Sequence, residues 1–462
     1  MFIKPFVDEG LGNSSYLVGS EETGLAAVID PQRDGDQYVQ VADGLGFRLK
    51  YALDTHLHAD FISGVRELAA QVDLQIGASA EAELGFDHLP LRDGDTLALG
   101  ELTVAVLATP GHSPEHIGFT VTEPKRTSPA AIFTGGALIV GGAARTDLLG
   151  HDLTVPLARQ LYHTFHHKLL ALPDSVSVYP THGAGSFCIA PTSLDRVTTI
   201  GRERATNRLA QARSEEEFVA LALDGLPSYP VYFKELRAVN RRGPKVLGGL
   251  PELKPLSPVA VHEWLGQGGA VLDVRPAREF AEGHVPNAYG IALDTPLITW
   301  AGWLIPFGAP LVLVANSRAD CDEAVRQLIR IGYDDLRGYL EGGIAAWEAA
   351  DLPVTRIRRI PVAELRDRLN SGDAPLVLDV RQDDEWTAGH IPGAIHIEDG
   401  RLPYEDLPLP ADRPIVVHCQ HRDRSTAGLA VLARRGYRDL TLLDGGFAAW
   451  HDAGFEVEQG LR

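Results

Sequence analysis

The sequence predicts an α/β protein of three domains, and three observations carry that reading. The chain has 462 residues, more than one ordinary core organises. Its C-terminal half holds an internal repeat: AVLDVRPAREFAEGHVPNAYGI (270–291) matches LVLDVRQDDEWTAGHIPGAIHI (376–397), and GYDDLRGYLEGGIAAW (332–347) matches GYRDLTLLDGGFAAW (436–450). The first 240 residues follow another grammar, short apolar strands broken by loops rich in Gly, His and Asp.

Taken in order, the first domain (1–240) shows apolar runs that predict strands over 15–18, 25–29, 102–107, 131–134 and 176–179, with helices between them. Segments 202–209 and 215–223 read as closing helices, their charges as solvated faces. NRRGPKVLGGLPELKPLSP (240–258) is rich in Pro, Gly and basic residues, so 241–257 reads as a linker. The repeat then gives domains 258–355 and 358–462, divided near DLPVTRIRRIP (351–361). Each copy runs strand, Asp-Val-Arg turn, helix, Gly-His-Val/Ile-Pro, strand, loop, helix, Gly-Tyr, strand, Gly-Gly, helix. Such alternation predicts a parallel sheet covered on both faces.

Composition narrows the function. A formal net charge of −20 repels phosphate-rich partners, which excludes nucleic acid and anionic membrane and favours a small soluble substrate. The start, MFIKPFVDEGLGNSSYLV, lacks the basic and apolar regions of a secretory signal, and no apolar run is long enough to span a bilayer. Three scattered cysteines, Cys188, Cys321 and Cys419, are too few for a disulfide framework and fit a reducing cytoplasm. One Met, few Lys and many Arg, Ala and Gly give a bacterial composition, and a homo-oligomer is compatible with it.

The chemistry of the first domain begins at THLHADFISG (55–64), where His56, His58 and Asp60 come after an apolar strand as a candidate metal motif. ATPGHSPEH (108–116), FTGGALIVGGAARTDLLG (133–150) and YPTHGAGS (179–186) each add a Gly-containing turn at a strand end, bringing His112 and His182 to the edge where α/β sites are built. His163, His166 and His167 share one helical face and read as packing or surface residues; His116 and His151 read as ligand-orienting or loop residues, Arg145 and Asp147 as a structural ion pair.

In this order the segments resemble the metallo-β-lactamase fold, an αββα sandwich, over roughly 1–240, and their wording resembles its persulfide dioxygenase branch. In the dinuclear hydrolases of the fold, the resemblance maps one metal to His56, His58 and His112 and a second to Asp60, position 61 and His182, bridged by an aspartate at position 136. Here 61 is Phe and 136 is Gly, which removes most of the support for a dinuclear hydrolase. In the persulfide dioxygenases two histidines and that aspartate hold one Fe(II), which maps to His56, His112 and Gly136. Glycine brings no ligand, so His58 completing a three-histidine site, a water, or weak metal binding are the open alternatives. The resemblance implies one Fe(II), with Zn the other metal such a site takes.

In VVHCQHRDRSTAGLAVLARRGY (416–437), Cys419 comes directly after a buried strand and faces a helix predicted to start near Ser425. Helix-start amides and His421, Arg422 and Arg424 would lower its pKa and make it a nucleophile for sulfane sulfur. The segment with its LDVR, GHIPGA and GG motifs resembles rhodanese, a sulfurtransferase family, which implies that Cys419 forms a persulfide and that Arg424 and Ser425 close its loop. Arg422 replaces a frequent glycine. Counting from Gly-Tyr, the middle copy has Ala315 for Cys419 and Asp320 for Arg424, so it reads as a non-catalytic copy. The whole reads as an enzyme of sulfur metabolism acting on a low-molecular-weight thiol persulfide, with thiosulfate or sulfite as sulfur partners. A sulfur carrier with a non-catalytic first domain and a mononuclear Zn hydrolase using Asp60 are the alternatives.

Overall fold

A computed structural model describes residues 1–188, 193–372, 374–410 and 412–460. The chain divides into two compact units, one of Met1–Pro251 with Ile329–Gly332, the other of Glu252–Leu328 with Tyr333–Arg462.

The first unit is an αββα sandwich of two six-stranded sheets. Alternation along the strands builds its layers. In Leu25–Ile29, Ala27 and Ile29 join Tyr16, Leu53, Val104 and Phe119 between the sheets, while Ala26 and Val28 pack outward with Tyr38, Ala42, Val65 and Leu68 of the helices Asp36–Gly44 and Val65–Gln71. The second sheet is covered likewise, Ile132, Val176 and Val178 meeting Leu161, Ile200 and Phe218. The strand read over 25–29 and the helix over 215–223 have the observed bounds, Leu25–Ile29 and Glu215–Leu223. The helix read over 202–209 is Ile200–Thr206, because the Thr199 side chain accepts from the Arg202 amide and caps it earlier. The helix His151–Thr164 passes into a π-helical turn, Phe165–Leu169, so His163, His166 and His167 do not share regular α-helical spacing.

The second unit carries two five-stranded parallel sheets of one strand order. Leu311–Val314 and Ile415–His418 hold the centres, fully buried. The stretch read as linker is partly structured: Phe233–Arg242 runs past residue 240, and Pro255–Leu256 pairs with Tyr339–Leu340 as an edge strand. No helix among the described residues is long and apolar enough to cross a membrane.

Candidate functional sites

Strand Arg48–Leu53 ends buried, and the chain stays buried from there through Gly64. A buried loop must satisfy its polar groups internally, and remote residues do so here. Asp30, at φ 50° just past strand Leu25–Ile29, accepts from the Thr55 amide (2.7 Å), the Thr55 hydroxyl (2.8 Å) and the Thr181 hydroxyl. Asn240 Nδ2 donates to the carbonyls of His58 (2.8 Å) and Phe61 (2.9 Å), and the Tyr232 hydroxyl donates to that of Asp60 (2.9 Å). Glu115 accepts the Leu57 amide at 3.0 Å while paired with Arg237 at 3.0 Å.

These anchors leave ligand atoms facing one another. His56 Nδ1 meets the Thr55 hydroxyl at 2.9 Å, His112 Nδ1 donates to the Arg145 carbonyl at 2.7 Å, and His182 Nδ1 donates to Asn13 Oδ1 at 3.1 Å. Asp60 Oδ2 accepts from Asn13 Nδ2 at 2.7 Å. The other atoms, His56 Nε2, His182 Nε2, His58 Nδ1 and Asp60 Oδ1, are buried without a partner among the described residues. One ring nitrogen anchored and the other free is the pattern of a metal-binding imidazole. Ligand atoms of His56, His112 and His182 lie within 4.8 Å of one another, as do those of His58, Asp60 and His182. The structure thus gathers His182, rather than His58, with His56 and His112. The His58 ring is fixed by Asp30 (3.2 Å) and stacks on Phe61 with centroids 4.1 Å apart.

The charges suit a cation. Burial and the neighbouring imidazoles hold His56 and His112 well below the usual histidine range, so both are neutral ligands. Burial pushes Asp60 upward, but His182 and His58 outweigh it and keep the carboxylate ionised. The donor set fits a single metal ion. Position 136 adds nothing to it: a Cβ on Gly136 would lie 2.7 Å from His112 Cδ2 and 2.9 Å from Ala144 Cβ. His116 is fully used, its Nδ1 on the Thr109 hydroxyl (2.8 Å) and its Nε2 accepting the Gly136 amide (3.0 Å), and burial lowers it to about 3. His151 is exposed at a helix start. Arg145 pairs with Asp147 at 2.6 and 2.8 Å. Sequence reasoning passed over Asn13, Asp30, Glu115, Tyr232, Arg237 and Asn240, and also Cys188, whose thiol burial and Asp60 push well above its usual range. The one usable signal was an acidic residue closing the apolar run LAAVID.

In the last copy, strand Ile415–His418 leads directly into Cys419, and the helix Asp423–Arg434 starts two residues before Ser425. The loop is held from behind: the amides of Phe447 and Ala448, at the start of helix Gly446–Asp452, donate to the carbonyls of Cys419 (2.8 Å) and Gln420 (2.9 Å). Amides of His421 and Ser425 turn toward the thiol, and Ser425 Oγ is 3.5 Å from Sγ. Arg424 forms a bidentate pair with Glu385 at 2.5 and 2.8 Å, while the side chains of His421 and Arg422 are exposed. The expected lowering of the Cys419 pKa is not what the structure shows. Burial raises the thiol above its usual range, and Arg424, Ser425 and the amides offset only part of that.

Residues 257–350 and 361–453 match the family model described as Rhodanese-like domain. Over 212 residues the chain is 33% identical to human "Persulfide dioxygenase ETHE1, mitochondrial", which spans 45% of this chain and 74% of that protein. The chain belongs to the persulfide dioxygenase family. It carries two rhodanese-like domains and is an enzyme of sulfur metabolism with a sulfurtransferase domain. It is also 30% identical over 292 residues to a probable metallo-hydrolase of Burkholderia pseudomallei, covering 54% of this chain and 95% of that one. A crystal structure of a metallo-beta-lactamase from Staphylococcus aureus subsp. aureus COL aligns with a TM-score of 0.66 at 29% identity, over 74% of this chain and 98% of that one.

Between the two rhodanese-like domains, the shared Asp-Val-Arg and Gly-His motifs prove architectural. Arg381 Nη2 binds Asp379 (2.6 Å) and the Gly389 carbonyl (2.7 Å); Arg275 Nη2 binds Asp273 (2.6 Å) and the Gly283 carbonyl (2.8 Å). Each clamps the turn after a strand onto the end of the next helix. The loops differ. Where Glu385 holds Arg424, the matching Glu279 accepts from Asn316 at 2.8 Å, and Cys321 is buried with its thiol pushed up to about 11.

Proposed function

We propose that this chain oxidises a low-molecular-weight thiol persulfide at one iron held by its first unit and moves sulfane sulfur through Cys419 of its last domain. The observation that carries the reading is the set of buried, unpartnered ligand atoms of His56, His182, His58 and Asp60 converging with His112 inside a persulfide dioxygenase domain. His56, His112 and His182 would hold the metal, and neutral imidazole suits Fe(II) as well as Zn(II). When bound, Fe(II) supplies oxygen activation. The chain's own part is to fix His112 through the Arg145 carbonyl and His182 through Asn13, and to keep Asp60 anionic beside them.

At the rhodanese-like site Cys419 Sγ attacks the outer sulfur of a persulfide or thiosulfate. A new S–S bond forms, the donor's S–S bond breaks, and the thiolate or sulfite leaves with its electron pair. Arg424 and the amides of His421 and Ser425 stabilise the anionic sulfur. Transfer of that sulfur to sulfite or a thiol restores the cysteine. Three free, buried cysteines fit a bacterial cytoplasm, where we place the protein.

A second reading, a sulfur carrier whose first domain is not catalytic, is favoured by the packed surroundings of Gly136. A mononuclear Zn hydrolase rests on the free Oδ1 of Asp60. The deciding experiment is oxygen uptake by protein loaded anaerobically with Fe(II) and given glutathione or coenzyme A persulfide. Iron-dependent uptake lost in His112→Ala supports the proposal; no uptake with sulfur transfer at Cys419 intact leaves the carrier reading.

A further inference from the structure

Between the loop 54–65 and the segment 78–86 the first unit encloses a small cavity, and His56 is part of its wall. The cavity offers about 10 Å³ to the centre of a water-sized molecule, room for one. Most of the wall is apolar. Leu57, Val65, Ala78 and Ala82 are buried around it, and Leu84 and Phe86 border it as half-buried side chains. The polar wall residues direct their hydrogen bonds elsewhere. Asn240 Oδ1 accepts the Ser63 amide at 3.0 Å while its Nδ2 holds the carbonyls of His58 and Phe61, and Ser79 Oγ accepts the Glu81 amide at 3.3 Å. One carboxylate, Asp54, lines the cavity, and Ser63 Oγ lies 2.9 and 2.7 Å from its two oxygens. His56 gives one ring nitrogen to Thr55 and turns the other toward His112 and His182. A water in this space falls short of the about two to four partners it needs, which favours an apolar guest of the same size. His56 is thus both a wall of the cavity and a candidate metal ligand.

We infer that this cavity is a dioxygen site, through which the gas passes from the half-buried Leu84 and Phe86 to the ring of His56. The inference rests on the oxidation reading above, which makes dioxygen a reactant. A small nonpolar gas leaves water for apolar space, so a passage for it needs room and an apolar wall but no polar group. The two alanines, Ala78 and Ala82, leave that room.

The test exposes crystals of the full metal-free chain to krypton, an apolar gas close to dioxygen in size. The parent is compared with Ala82→Leu, which fills the cavity, and Leu84→Ala, which widens it. Krypton is expected in the parent's cavity, at raised occupancy in Leu84→Ala and absent from Ala82→Leu. In iron-loaded protein, Ala82→Leu should raise the KM for dioxygen about threefold or more, while kcat at saturating dioxygen and the KM for persulfide stay unchanged. Opposite shifts in the two variants separate the gas site from a loss of folding. No krypton in the parent's cavity, or krypton lost from Ala82→Leu with an unaltered KM for dioxygen, overturns the inference. Krypton that follows the variants without oxygen uptake by the iron-loaded parent would instead sink the oxidation reading and leave the gas site standing.

Discussion

The two rhodanese-like domains share single hydrogen bonds and differ most in one loop. The amides of Val274 and Val380 donate to Val314 and His418, at 2.9 and 3.0 Å, and those of Leu293 and Asp399 donate to Val274 and Val380, at 3.0 and 3.2 Å. His284 and His390 stack on Phe280 and Trp386 with centroids 3.8 and 3.6 Å apart. With so much in common, the proposed difference in chemistry falls on the loop just past the central strand: Ala315 and Asp320 in one copy, Cys419 and Arg424 in the other. A motif can mark the fold in both copies while, on the function proposed above, the reaction belongs to one.

The strongest way to break that comparison is to exchange the nucleophile. Cys419→Ala is expected to cut thiosulfate-to-cyanide sulfur transfer to below about one thousandth. Ala315→Cys is expected to add nothing to the Cys419→Ala background, because Asp320 stands where the anion-binding arginine is needed and Glu279 is already engaged by Asn316. Activity appearing in the double variant would mean that the loop does not decide the chemistry.

Next in size are the clamps. Arg275→Ala and Arg381→Ala each leave a buried aspartate without its cation, at a cost of about 3–5 kcal/mol. Equal losses in chemical denaturation are expected for the two copies. A much smaller loss in the middle copy would show that it had relaxed once freed from catalysis.

The same contrast explains how much the sequence made legible. Repeat, strand order and domain types arise from local patterns, since alternating strands and helices with short turns admit few arrangements. His56, His112, His182 and Cys419 were legible because strand-end loops present side chains at one edge. The anchors were not. Asn13, Asp30, Tyr232 and Asn240 approach the His56–Asp60 loop from elements distant in sequence, and no periodicity marks such pairings. The grouping of His182 with His56 and His112, and of His58 with Asp60, goes with the stacking of His58 on Phe61 and its bond to Asp30, and the raised Cys419 thiol with burial that a loop sequence does not display.

Asp399 is a smaller departure between the copies. It occupies the place of Leu293, fully buried, with both carboxylate oxygens lacking a hydrogen-bond partner among the described residues, and burial lifts its pKa well above the usual range against the pull of Arg424. The folded state therefore keeps a proton that the unfolded chain releases near pH 4, and stability falls as pH rises from there toward the folded pKa. Asp399→Asn keeps the size and removes the titration. Its gain over the parent is expected to grow from near zero at pH 4 to about 1–3 kcal/mol at pH 8, read from urea midpoints across pH. A gain independent of pH would assign the effect to packing against Gly428, where a Cβ would lie 2.6 Å from Asp399 Oδ1.

The smallest expected effect concerns Ser425, where the middle copy has Cys321. Ser425 Oγ lies 3.5 Å from Sγ and 2.9 Å from the Arg422 carbonyl, and its single proton, turned from that carbonyl to the sulfur, is one of the interactions that draw the Cys419 pKa down against burial. Only the thiolate is alkylated, so below the pKa the rate of iodoacetamide modification rises tenfold per pH unit, and for a raised thiol that rise continues beyond pH 9. Ser425→Ala removes one stabilising contact of about 0.5–1 kcal/mol, so at any pH below the pKa alkylation should slow about two- to fivefold while the alkaline plateau stays unchanged. A change in the plateau would point to altered access rather than altered charge. An unchanged curve would leave Arg424 and the loop amides as the groups that distinguish the reactive copy from its inert neighbour.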